Sequence, residues 1–165
     1  MKESHSTIHY MRWNVTRKKG DWLTVILKYK VWDKAEEKFF TPTYRAYDGI
    51  LQELLLSPSG ELAMRNTKEI VHESMFPNRF VIVPFINFLD SDGKEIHVGD
   101  ILLGRDGKRQ GEVVWDKYEL GYRLQIAIHR KYEGEEWTEI KTMPIHKDWY
   151  KIIGNIFEQP ELKVK

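Results

Sequence analysis

Four acidic side chains stand close together in DSDGKEIHVGD, residues 90–100: Asp90, Asp92, Glu95 and Asp100. Carboxylates at such spacing can hold a divalent cation, and a calcium loop of the EF-hand type needs oxygen donors at positions 1, 3 and 5, glycine at 6 and glutamate at 12. Counted from Asp90, position 5 is Lys94, position 6 is Glu95 and position 12 is Ile101. A lysine ammonium at a ligand position repels the cation, so the match fails. The stretch reads instead as turns: Asp90 capping one through its side chain, Gly93 supplying a left-handed residue, and Gly99-Asp100 leading into the strand ILL. A metal-assisted hydrolase built on Asp90, Asp92 and Asp100 is the least favoured reading.

Other chemistry is sparse. The histidines stand at 5, 9, 72, 97, 129 and 146 and form neither HExxH nor HxH. His72-Glu73 is followed by Ser74-Met75-Phe76, which leaves out the second histidine of a zincin helix. GxSxG, P-loop and dinucleotide patterns do not occur. With no cysteine in the chain, disulfides, thiol catalysis and Cys-type zinc sites are excluded together. No catalytic residue, metal site or cofactor is assigned, and the chain reads as a non-enzymatic protein.

The second Asp-Gly pair, Asp106-Gly107, lies in a basic loop between DILLG and GEVVW. Arg105, Lys108 and Arg109, followed by Trp115, Lys117 and Arg123, interleave cations with rings, the combination single-strand binders use for backbone and bases. These six are the candidate nucleic-acid contacts. Asp106, Glu112, Asp116 and Glu119 share the same stretch and blunt its charge. Over the whole chain, 26 basic and 25 acidic residues give a net charge of +1, so any polyanion surface would have to be local.

The elements that must position these residues are mostly strands. In the 165-residue chain, 41% hydrophobic and 13% aromatic content suffices for a packed interior. Residues 1–24, with Lys/Arg in excess, read as a poorly ordered basic extension, and recognisable β pattern begins near Val25. VILKYKVW and KFFTPTY flank the charged turn DKAEEK. ILQELLL and ELAMR flank Ser57-Pro58-Ser59-Gly60. Asn66 or Thr67 could cap one short helix before Pro77. RFVIVPFINF is a strand whose Pro84 suggests an edge or a bulge. Beyond it, GEVVW, GYRLQIAIH, EEWTEIKTMPI and WYKIIGNIF continue the pattern, with Leu124, Ile126 and Ile128 alternating against polar neighbours. The expected fold is mainly β: N-terminal hairpins over residues 25–79 packed on the rest, with at most one short helix, and a C-terminal SH3-like small β-barrel over residues 80–165. No apolar run approaches 18 residues and no signal-peptide pattern is present, so the expected location is cytoplasmic, without a membrane partner.

Several of these motifs occur together in a known family. Asp90, Gly93-Lys94-Glu95-Ile96, Gly99-Asp100-Ile101, then Gly154-Asn155-Ile156, Glu158 and Pro160-Glu161-Leu162, with Trp32-Asp33 near the start, resemble the YopX family of bacterial phage and prophage proteins. The likeness covers about residues 27–162. One departure is visible, FINF before Asp90 where the family commonly reads like YTGL. The family has no assigned activity. The resemblance therefore implies a phage or prophage setting in a bacterial host, and it implies that Trp32, Asp33, Asp90, Gly93, Lys94, Glu95, Ile96, Gly99, Asp100, Gly154, Asn155 and Pro160 define the fold. The leading functional expectation is a protein-interaction or assembly module, with self-association or a protein partner favoured over nucleic acid.

Overall fold

The computed structural model describes residues 11–12, 26–45, 49–146 and 148–164. Almost all regular structure is antiparallel strand, as the β-branched and aromatic runs predict. The strands are β1 (Met11–Arg12), β2 (Ile26–Leu27), β3 (Tyr29–Asp33), β4 (Lys38–Phe39), β5 (Thr43–Arg45), β6 (Ile50–Leu56), β7 (Leu62–Asn66), β8 (Ile70–His72), β9 (Phe80–Leu89), β10 (Glu95–His97), β11 (Asp100–Gly104), β12 (Gln110–Asp116), β13 (Gly121–Tyr132), β14 (Glu135–Met143) and β15 (Tyr150–Asn155). Nearly all of the basic extension expected at residues 1–24 falls outside the described residues; within it, β1 pairs with β2. The described residues divide into two compact units, the first holding those between 30 and 82 and the second those from 83 onward together with 11–12 and 26–29.

In the first unit, β4 pairs with β3 through Trp32↔Phe39 and Asp33↔Lys38, closing the DKAEEK turn as expected. A four-stranded sheet follows in the order β5-β6-β7-β8. Its central hairpin turns at Ser57–Gly60, where Gly60 N–H donates to the Ser57 carbonyl at 3.0 Å. The short helix expected from Asn66 is replaced by strand β8 and one 3-10 turn, Glu73–Met75. Asn66 does act as a cap, since its Oδ1 accepts the N–H groups of Lys68 and Glu69, but it caps a tight turn between β7 and β8. Ile70 and Val71 lie in β8, opposite Arg65 and Met64.

The second unit carries the larger core. Ile86, Ile96, Leu102, Val113, Leu124, Ile145 and Tyr150 are buried together. A five-stranded sheet runs β14-β13-β12-β11-β15. Register puts Leu102 opposite Gly111 and Ile152, and Val113 opposite Leu124, so one face of this sheet is lined by the core. The other face includes Ile101 and Glu112, also buried. The final residues cover it: the backbone of Val164 hydrogen-bonds Glu112, and Leu162 lies against Gly154. β10 pairs with β9 with a register shift between Glu95 and His97. That irregularity lies opposite Ile86–Phe88, where Asn87 has a φ of +63°. Pro84 lies just outside the slip, and its carbonyl accepts the Val98 N–H at 3.0 Å.

Candidate functional site

The acidic loop is built inward. Asp90 is buried, and its carboxylate accepts the N–H groups of Asp92 at 2.9 Å, Lys94 at 2.8 Å and Ile152 at 3.1 Å. Three amides thus occupy the oxygens a cation would need, and the third ties the loop to β15. Asp92 faces the other way and pairs with Lys151 at 3.0 Å. Asp100, also buried, accepts the His97 N–H at 2.7 Å. Among the described residues no group of three His, Asp or Glu side chains is placed to share a metal ion.

The two motifs at either end of this unit meet. Gly99 has φ of +83°, and a Cβ there would lie 2.7 Å from the Phe157 ring and 3.0 Å from Ile156. Its carbonyl accepts the Ile156 N–H at 2.9 Å, and Asp100 pairs with Asn155 in the ladder. Asn155 Oδ1 in turn accepts the N–H groups of Phe157 and Glu158, which turns the chain toward the 3-10 turn Pro160–Leu162. Glu95 pairs with Lys28. In the first unit, Asp33 is buried and receives Arg79 in a forked pair, Nε to Oδ1 at 2.9 Å and Nη2 to Oδ2 at 2.7 Å. The guanidinium holds the Asp33 carboxyl below its usual range. Trp32 packs edge-on against Phe39. The side chains of Asn155, Glu95, Asp33 and Trp32 are thus all engaged within the protein.

The six candidate nucleic-acid contacts do not form one surface. Arg105, Lys108 and Arg109 lie in the β11–β12 loop, whereas Lys117 lies in the β12–β13 turn at the other end of the seven-residue strand β12, about 20 Å away at strand rise. Trp115 pairs with Tyr122, and Val114 with Arg123. Paired residues share a face and successive residues alternate, so Trp115 and Arg123 point to opposite faces of the sheet. The basic loop is also engaged: Asp106 Oδ1 accepts the N–H groups of Lys108 and Arg109, and Arg109 Nε pairs with Asp106 at 3.2 Å. Arg123 lies 3.8 Å from Glu119. Lys117 sits over the Tyr118 ring.

One arrangement could be taken for a catalytic triad. His72 Nδ1 lies 3.1 Å from Ser74 Oγ, and its Nε2 lies 3.9 Å from Glu61. The same Nδ1 accepts the Ser74 N–H at 3.2 Å, which makes it the cap of the 3-10 turn. Histidine and glutamate are both about half exposed, and a triad needs its orienting acid close and shielded. Nearby, Glu53 is buried between Arg65 at 2.5 Å and the Tyr44 hydroxyl at 2.8 Å, and burial with that carboxylate raises the Tyr44 pKa.

The feature the sequence reading passed over is the β13–β14 hairpin. It pairs continuously from Leu124↔Met143 to Tyr132↔Glu135 and runs past the row where β12 begins. Its distal half exposes Tyr132, Trp137 at 49% and Ile140 at 43%. The ring and isoleucine stand among charges of both signs: Lys131 with Glu136, Arg130 with Glu139, and Glu139 with Lys141. Residues 128–143 carry three basic and four acidic side chains, which is not a polyanion surface. EEWTEIKTM could have drawn notice as a strand with apolar residues on both faces.

These elements define a small antiparallel β protein. No helix among the described residues is long and apolar enough to cross a membrane. The chain belongs to the YopX family: the family model described as YopX protein matches residues 28–162. No match was found among curated proteins. Among solved structures, the chain is similar to the crystal structure of protein EF1440 from Enterococcus faecalis, at 21% identity over 84% of this chain and 99% of that one, with a TM-score of 0.42.

Proposed function

We propose that this YopX-family protein acts without catalysis, as a protein-interaction or assembly module in the cytoplasm of a bacterial host carrying a phage or prophage. The observation that carries the reading is the exposed β13–β14 hairpin with Trp137, Ile140 and Tyr132. Tyr132 and Trp137 share one face of the hairpin and Ile140 lies on the other, and large apolar groups left exposed on an edge hairpin suit contact with a partner. The phage setting rests on the likeness to the family. The engagement of Asp90 with three amides and the capping role of His72 support a non-enzymatic reading. The strand order β15-β11-β12-β13-β14, with the last strand beside the first, supports an SH3-like barrel as the scaffold.

The test is the solution mass of the full chain together with affinity capture from host cells during prophage induction, read for protein and for nucleic acid. A self-associating protein, or one that retains a defined protein partner in proportion to it, agrees with the proposal. A strict monomer that retains only nucleic acid, or nothing, sinks it.

A further inference from the structure

Strand β14 is an edge of the five-stranded sheet, and among the described residues it pairs on one side only. The hairpin turn fixes which groups face outward. Glu133 and Gly134 both have positive φ, 48° and 90°, the signature of a two-residue turn that closes on a hydrogen-bonded pair, here Tyr132↔Glu135. Hydrogen-bonded pairs alternate along an antiparallel ladder, so odd-numbered residues of β14 turn their amides and carbonyls toward β13. Glu136, Thr138, Ile140 and Thr142 therefore present theirs at the open edge. The strand is nine residues long, has no proline or glycine, and contains one lysine, the residue that most often blocks such edges.

We propose that β14 pairs antiparallel with β14 of a second copy, about a two-fold axis through Ile140. This deepens the self-association reading above and rests on it. A two-fold perpendicular to a sheet keeps each face on the same side, so it can pass through a residue but not between two. Three residues near the middle of the strand can hold it. An axis at Thr138 sets Trp137 against Glu139 and Glu136 against Ile140. An axis at Glu139 sets that carboxylate against its own copy. An axis at Ile140 sets isoleucine against isoleucine, Thr138 against Thr142, Glu139 against Lys141 and Trp137 against Met143, the last three each occurring twice. Only this register makes every opposed pair favourable, with opposite charges, paired threonines and a sulfur–ring contact. In it the outward amides and carbonyls of Thr138, Ile140 and Thr142 meet their counterparts, and the sheet continues from one copy into the other.

The register gives a charge-exchange test with the full-length chain. Sedimentation equilibrium of the native protein is expected to move from 19.7 kDa toward twice that mass as concentration rises. Glu139→Lys alone opposes lysine to lysine, and Lys141→Glu alone opposes glutamate to glutamate; each is expected to weaken association at least about tenfold. An equimolar mixture of the two variants has every charge complementary, and is expected to recover association as a heterodimer. Ile140→Lys, which places like charges at the axis, is expected to leave a folded monomer by circular dichroism and serves should either exchange variant fail to fold. Association of the native chain that is indifferent to all three substitutions overturns the β14 pairing and leaves self-association by another surface standing. A native chain that stays monomeric throughout overturns this pairing and self-association together.

Discussion

The amide of Ile156 donates to the carbonyl of Gly99 at 2.9 Å, while the Phe157 ring occupies the space a side chain at Gly99 would need. Two motifs more than fifty residues apart in sequence are thus one structural joint. Gly99→Ala would meet both a positive φ and the ring. It is expected to cost on the order of 2–4 kcal/mol, from left-handed strain plus local overpacking. Urea unfolding checks this, and an unchanged midpoint would show that the ring moves aside freely.

Asp90 also ties its loop to β15, through the Ile152 amide. Asp90→Ala leaves the N–H groups of Asp92, Lys94 and Ile152 to find new partners, at an expected cost of roughly 3 kcal/mol. Added calcium or magnesium is expected to leave the native chain's melting temperature unchanged, since those oxygens already accept amides; stabilisation by millimolar ion would argue for a cation there.

Asp33 gives acid sensitivity to the first unit. Its folded pKa lies below the ordinary value because Arg79 hydrogen-bonds its carboxylate. The stabilisation is therefore complete above the unfolded carboxyl pKa of about 4 and is lost as pH falls through the lower folded value. Arg79→Met is expected to cost roughly 2–3 kcal/mol at pH 7, at the low end for a buried pair because the arginine is partly exposed. It should also flatten the acid limb of stability measured against pH.

Glu112 acts in the opposite sense. Burial raises its pKa, so its folded form resists ionisation. That penalty is absent at low pH, grows as pH rises above the unfolded value of about 4.3, and is constant above the raised folded value. Glu112→Gln is expected to be neutral or stabilising at pH 7 and to remove this fall, measured by thermal melts between pH 4 and 7. A large loss at pH 7 would mean that the ionised carboxylate is what binds the tail.

Labelled single- and double-stranded oligonucleotides titrated over a salt series test the basic loop. With Arg105, Lys108 and Arg109 its only clustered cations, and Asp106 among them, any binding should show a log–log slope no steeper than about −3. A steeper slope that Arg105→Ala, Lys108→Ala and Arg109→Ala together remove would favour a nucleic-acid interface.

Much of the frame was legible in the sequence because local chemistry and tertiary structure agree there. Asp90 caps its turn, Gly99 needs its positive φ, and the Leu124, Ile126, Ile128 alternation is a strand. The segment after Asn66 misled because Asn66 does cap, and a cap reads the same before a helix or a tight turn; pairing with β7 decided the outcome. The basic and aromatic set looked continuous along the chain, but a strand separates its members by alternation and by length. The hairpin edge was not visible as a site, since a strand's sequence does not say whether a neighbour will cover it.

The joint between Gly99 and Ile156 has a consequence for the order in which the protein is made. β15, which lies beside β11, follows β11–β14 in chain order, and Asp100 must wait for Asn155 before the sheet gains that margin. Until then the β11–β14 hairpins can pair locally, but Ile101 and Glu112 lack the closing segment that buries them. Such a non-local closure is expected to put final folding in the slow range for β domains, on the order of milliseconds to seconds, and to make it sensitive to substitutions at Gly154. Stopped-flow refolding of Gly154→Ala would show it as a slower folding arm; an effect confined to the unfolding arm would place the closure after the rate-limiting step.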